Sequence, residues 1–248
     1  YYYQVSPMAD LPRLHLTAPR TVAPPAHAGD AALGPALNAA QADAANHGDS
    51  PLLIVAGAGS GKTRTLIHRV AALIARGVPP HRILLLTFTR RSAQEMLSRC
   101  ERLVGSASQQ VQGGTFHGTA HRLLRRFGAA AGLPADFTIL DQSDAGDLMG
   151  LSRSSLGYGD LKTAPRGAPR FPRAETLLSI YSRHVNTEAE VAELLNEQWP
   201  HFVSWAGDIE RCFTDYVKRK AERNLLDYDD LLLSWALLLE QAPSIAEQ

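Results

Sequence analysis

The amino-acid sequence predicts an α/β fold, a parallel sheet with helices on both faces that carries a mostly helical inserted subdomain. Apolar runs at residues 52–56 and 83–88, and a third short strand that ends at Thr115-Phe116, are each followed by apolar residues at helical spacing. Glycines crowd the turn after the first run. Beyond Leu140 the strand signal fades and helical periodicity takes over.

Residues 1–36 are rich in Ala and Pro and keep no sustained period, so they read as a poorly ordered tail. Leu52-Leu53-Ile54-Val55-Ala56 is short, apolar and closed by glycines, the pattern of a buried central strand. The helix over residues 63–75 places Leu66, Ile67, Val70, Leu73 and Ile74 on one face and stops at Gly77, before Pro79-Pro80. Ile83-Leu84-Leu85-Leu86-Thr87-Phe88 reads as a second buried strand, and Ala93, Met96, Leu97, Cys100, Leu103 and Val104 keep helical spacing up to Gly105. After the third strand comes a helix carrying Ala120, Leu123, Leu124 and Phe127. Gly157, Gly159, Pro165, Gly167, Pro169 and Pro172 then mark a loop, and helices follow from Ala174, with Ile209, Cys212, Phe213, Tyr216 and Val217 as the clearest stripe. The expected organisation is a tail over 1–36, a nucleotide-binding α/β domain over 37–144, a helical subdomain over 145–224 and a return segment over 225–248.

Lysine and arginine number 25, as do aspartate and glutamate, so the balanced charge does not mark the whole chain as a nucleic-acid binder. Two local clusters stand out: Lys162, Arg166, Arg170 and Arg173, and Lys218, Arg219, Lys220 and Arg223. Each suits either a phosphate-facing patch or a solvated face. No apolar run approaches the roughly 18 to 20 residues that cross a bilayer, and no secretion signal heads the chain, so a cytoplasmic protein without a membrane span is expected. Cys100 and Cys212 form no CxxC pair and read as buried thiols.

Chemistry concentrates in Ala56-Gly57-Ala58-Gly59-Ser60-Gly61-Lys62-Thr63, set between a strand and a helix as a P-loop must be. Glycines let successive N–H groups and a helix N-terminus turn toward phosphate oxygens. Lys62 is placed to neutralise the β- and γ-phosphates, and the Thr63 hydroxyl to ligate Mg²⁺. These residues therefore point to a nucleoside triphosphate with Mg²⁺.

The flanking segments narrow the class. Leu37-Asn38-Ala39-Ala40-Gln41 resembles the adenine-reading Q motif of UvrD/Rep-type helicases of superfamily 1, and Leu86-Thr87-Phe88-Thr89-Arg90-Arg91-Ser92-Ala93 resembles their motif Ia, with Arg90 and Arg91 where Asn and Lys are common. Gly114-Thr115-Phe116-His117-Gly118 resembles motif Ib, and Leu226-Asp227-Tyr228-Asp229-Asp230-Leu231-Leu232 resembles the segment that leads back toward the Walker B strand. The resemblance spans about residues 37–240. It implies a P-loop NTPase of RecA-like type that uses ATP and Mg²⁺ to move 3′ to 5′ along single-stranded DNA and to act at duplex junctions in DNA repair. Gln41 and Arg64 are implied to join residues 56–63 in holding nucleotide. Thr87, Phe88, Thr89, Arg90, Thr115, Phe116 and His117 are implied to touch DNA, the phenylalanines by stacking on bases. Either phenylalanine equally suits a core position at the end of an apolar strand. No Asp-Glu pair occurs, so the chain is expected to stop before Walker B and to hydrolyse ATP only at background by itself. A helicase-nuclease subunit of the AddA/RecB kind, or a module that binds nucleotide or DNA without turnover, remain the alternatives.

Overall fold

The computed structural model of the chain describes residues 13–15, 36–158 and 170–246. Most of the expected tail lies outside these residues, as do Lys162 and Arg166 of the first basic cluster. The chain divides into two compact units, one ending at Phe116 and the other beginning at His117.

Within the first unit, Arg13–His15 forms β1, parallel to β2 (Leu53–Val55) with Leu14 opposite Ile54. That corrects the reading of these three residues as tail: strand formation here rests on a ladder to a distant partner, which local composition does not reveal. Helix α1 (Ala39–Ala45) opens on Asn38, and α2 (Lys62–Ala75) follows the glycine loop and ends before Gly77, whose φ of 90° suits glycine. Next come β3 (Leu84–Thr87), α3 (Arg90–Val104) and β4 (Gln112–Thr115). Strands β3 and β4 are parallel, with Leu85 opposite Gly113. A Cβ on Gly113 would stand 2.6 Å from a Leu97 methyl, so a larger residue there would force the Leu97 side chain to shift. Ile67, Val70, Ile83, Leu85, Met96, Cys100 and Val111 form the core of this unit, each fully buried aliphatic side chain contributing about 1.5–3 kcal/mol.

The second unit holds α4 (Phe116–Phe127) from its second residue on, β5 (Thr138–Ile139), α5 (Gln142–Arg153), α6 (Ala174–Thr187), α7 (Val191–Gln198) and α8 (Ala206–Glu222). It closes with β6 (Leu225–Leu226), α9 (Tyr228–Gln241) and α10 (Pro243–Ala246). Its larger core gathers Met149, Leu177, Ile180, Leu195, Ile209, Cys212 and Tyr216. A smaller one joins Ala120 and Leu124 of α4 to Phe137, Leu231 and Leu238. This packing places α4 with the helical residues, whereas the sequence pattern changes only near Leu140.

Parallel pairing agrees with the prediction, and the helices stand where periodicity put them. The sheet differs. Among the described residues the strands pair as three separate two-stranded ladders, β1 with β2, β3 with β4 and β5 with β6. Strand β6 went unforeseen because two leucines beside an acidic turn carry no alternation to read. Nor is β2 a buried central strand: Leu53 and Val55 are 40% and 45% exposed, since side chains of a strand alternate and the described residues cover one face.

Candidate functional site

Strand β2 hands the chain to the glycine loop, in which Gly59 and Gly61 have φ of 74° and 85°. Positive φ costs glycine little, and the loop turns tightly enough for Ser60 Oγ to donate to Gly57 O at 2.7 Å. Lys62 and Thr63 open α2 and are exposed. Lys62 Nζ donates to Ala56 O at 2.8 Å and to Gly57 O at 2.6 Å. The N-cap of α2 is Gly61, which offers no side chain to cap it, so the first-turn N–H groups and the positive end of the helix dipole face the loop. An oxyanion is the chemical complement of this arrangement.

Gln41, 3% exposed, reaches the same loop from α1. It forms a capping box with Asn38, in which Asn38 N donates to Gln41 Oε1 at 3.1 Å and Gln41 N to Asn38 Oδ1 at 2.9 Å. Arg64 Nη2 donates to the same Oε1 at 2.8 Å, while Gln41 Nε2 donates to Ser60 O at 2.8 Å. Both lone pairs of Oε1 and one of the two amide hydrogens are thus engaged by the protein itself. A Cβ on Gly61 would stand 2.7 Å from Nε2, so this glycine serves close approach as well as conformation. The resemblance associated Gln41 with the loop but did not specify the clamp.

The register of β3 on β4 sets Thr87 opposite Thr115 and brings the next residues, Phe88 and Phe116, to a ring separation of 5.4 Å. Phe88 is 86% exposed and Phe116 half-buried, which removes the core alternative for Phe88. Thr89 caps α3, its Oγ1 accepting from Ser92 N at 3.1 Å. Arg90 and Arg91 follow on the exposed first turn, which contains no acid. Cations there oppose the helix dipole by about 0.3–1 kcal/mol each, a cost that a facing anion would offset.

In the second unit His117 and Tyr228 form a T-shaped ring pair at 5.5 Å, and Tyr228 is 48% exposed. The sequence placed Tyr228 only in the segment leading back toward the Walker B strand and gave it no binding role; its signal was a lone aromatic in an acidic helix start. Flanking it, Asp227 and Asp230 form the capping box of α9. Lys220, placed by sequence in a phosphate-facing or solvated cluster, is buried: its Nζ donates to Asp227 Oδ2 and Asp230 Oδ2, both at 2.6 Å, and to Tyr181 OH at 3.3 Å. Tyr216 OH also donates to Asp227 Oδ2, at 2.9 Å. Burial pushes the Asp227 carboxyl up, but Lys220 and these hydrogen bonds outweigh it and hold the group below its usual value. Burial raises Asp230 to about 6, the Asp227 charge adding to the rise and Lys220 opposing it. The rest of that cluster stays outside, Lys218 and Arg223 exposed and Arg219 paired with Asp215 at 2.5 Å. Arg170 and Arg173 of the first cluster are also exposed. A cavity of about 540 Å³ lies between α5, α6 and the first turn of α9, lined among others by Asp141, Glu175, Arg183, Asn186, Tyr228 and Asp229; it contains none of the expected nucleotide ligands.

Strand, glycine loop and helix N-terminus together form a P-loop, the phosphate-binding motif of P-loop NTPases. Residues 37–248 match the UvrD/REP helicase N-terminal domain, and the chain belongs to that family. It is similar to the ATP-dependent DNA helicase PcrA of Bacillus subtilis, with 34% identity over 213 residues, covering 85% of this chain and 27% of that protein. Similar too are the helicases of the same name from Staphylococcus epidermidis, 33% identical over 212 residues, and Staphylococcus aureus, 31% identical over 212. The chain spans 27% of the length of each of these curated relatives. Among the described residues no helix is long and apolar enough to cross a membrane, and no His/Cys/Asp/Glu cluster suits a metal ion.

Proposed function

We propose that this chain is the ATP-binding part of a DNA helicase that translocates 3′ to 5′ on single-stranded DNA and acts at duplex junctions. The observation that carries the reading is the uncapped N-terminus of α2 behind a glycine loop, with Lys62 and Thr63 exposed at its mouth. Backbone N–H groups of residues 56–61 turn to the phosphates, and Lys62 exchanges its two loop carbonyls for phosphate oxygens. The Thr63 hydroxyl would hold Mg²⁺, an ion that would offset phosphate charge when bound. Adenine is read by Gln41 and Arg64 when it displaces the bonds these two now make with each other and with Asn38. The protein's location is the cytoplasm.

The DNA contacts are Thr87, Phe88, Thr89, Arg90, Thr115, Phe116 and His117, and we add Tyr228. Exposed rings offer stacking faces that any base can use, and the arginines on α3 meet phosphates. The architecture that suits this work is a RecA-like domain over 37–144 and 225–248 with a helical subdomain over 145–224.

Hydrolysis further needs an acid to hold Mg²⁺ and position water, and an arginine for the transition state. No Asp-Glu pair occurs among the 248 residues, so these residues bind nucleotide but turn it over only at background. The test is DNA-stimulated ATP hydrolysis by the intact protein and by Lys62→Ala. Turnover should fall at least about 10²-fold, as when a donor to a developing oxyanion is removed. Undiminished turnover would refute the assignment, and DNA-stimulated turnover by these 248 residues alone would refute the division of labour.

A further inference from the structure

We propose that Lys220 is a positioning residue for single-stranded DNA, holding the first turn of α9 so that Tyr228 stays presented beside His117 to a nucleobase. The proposal rests on the reading of Tyr228 as a DNA contact.

Lys220 is 3% exposed, and its three ammonium hydrogens meet three acceptors, on Asp227, Asp230 and Tyr181. Those acceptors lie on two elements, the start of α9 and the middle of α6, while Lys220 itself projects from α8. Stability does not require such an arrangement. Burying charge carries a desolvation cost that packed apolar side chains would avoid, and Asp227 and Asp230 already cap α9 by bonding to each other's backbone N–H. What the ammonium adds is a fixed position for one turn.

That turn consists of Asp227, Tyr228, Asp229 and Asp230. Both outer residues are tied to Lys220, and Asp229 Oδ1 accepts from Asn186 Nδ2 at 2.7 Å. Between these anchors the Tyr228 ring stands half in solvent, in a T-shaped pair with His117. A stacking surface held in place before binding loses less freedom when a base arrives, and that preserves affinity. Lys220 also offsets one of the two carboxylates, Asp227 buried and Asp230 part-buried, beside an element that would meet a polyanion.

Binding of a labelled oligo-dT by the intact protein at fixed salt tests this in a double-mutant cycle. Tyr228→Ala should weaken binding about tenfold and Lys220→Met about fivefold. The double variant should bind no more weakly than Tyr228→Ala, because the lysine has nothing left to position. In a Phe88→Ala background Lys220→Met should keep its full effect. Should Lys220→Met fail to fold, Asp230→Asn, which leaves the ammonium paired with Asp227, should give a smaller loss with the same dependence on Tyr228. Losses that multiply with Tyr228→Ala would overturn the proposal, since they would mark a charge or folding effect. So would wild-type affinity in Lys220→Met, or in a folded Asp230→Asn, while Tyr228→Ala binds weakly. Wild-type affinity in Tyr228→Ala would instead remove the reading beneath it.

Discussion

In the unit that ends at Phe116, the lysine of the candidate site is exposed and donates to two carbonyls of its own loop. In the unit that begins at His117, Lys220 is sealed among two carboxylates and a tyrosine hydroxyl. The two ammonium groups are chemically alike and make bonds of similar length, yet their surroundings assign them opposite roles. Hydrogen bonds at a wet surface are worth about 0.5–1.5 kcal/mol net, so Lys62 can trade carbonyls for phosphate oxygens. Removing one partner of a buried ion pair costs about 3–5 kcal/mol, so Lys220 stays where it is. Exchangeable bonds mark the place where a ligand enters, and permanent ones mark the frame around an exposed group.

The largest expected effect breaks that comparison directly. Lys220→Met should destabilise the second unit by about 3–5 kcal/mol, measured by chemical denaturation, because the buried Asp227 and the part-buried Asp230 are left without their cation. A loss below about 1 kcal/mol would place Lys220 in the same exchangeable class as Lys62.

Phe88→Ala sharpens the contrast on the other side. With its ring 86% exposed, the substitution should shift stability by no more than about 0.5 kcal/mol. Binding of single-stranded DNA should weaken by about 1–3 kcal/mol. A drop in melting temperature with unchanged affinity would make the ring structural after all.

A smaller effect follows from Asp230. Its carboxyl is raised to about 6 by burial, with the Asp227 charge adding and Lys220 opposing, so the folded state holds that proton more tightly than the unfolded chain does. The stabilisation this proton provides is complete below the ordinary carboxylate value and is lost as pH rises through about 6. Asp227, held low, contributes in the opposite sense and loses its share as pH falls. His121, pushed down first by burial and then by Arg125, also loses its share on acidification. The clean readout is therefore the difference between the wild type and Asp230→Asn. On raising pH from 5 to 7 the wild type should lose melting temperature relative to the variant, and parallel curves would contradict the shift.

Much of the first unit was legible because its determinants are local. Residues 56–63 are contiguous, and the repeated Thr-Phe at 87–88 and 115–116 needs only the register of β3 on β4 to bring its rings together. What escaped notice depends on partners distant in sequence. The ladder from β1 to β2 joins residues 40 apart, and the bond from Lys220 to Tyr181 spans 39. Read locally, Lys220 sits among three other basic residues and looks solvated. Only packing of α8 against α6 and α9 separates it from Lys218, two positions away and exposed. Likewise the Gln41 clamp on Ser60 and Arg64 depends on how α1 meets the loop, which spacing along the chain does not specify.

The central claim is that Lys62 and its loop form a nucleotide site built from exchangeable bonds. Titration calorimetry of ATP with Mg²⁺ into the chain and into Lys62→Ala, both checked for equal melting temperature, tests it most directly. The wild type should bind one nucleotide and the variant should give no measurable heat of binding, with stability unchanged because the side chain is exposed. Equal binding by the two proteins, or loss of binding accompanied by unfolding, would contradict it.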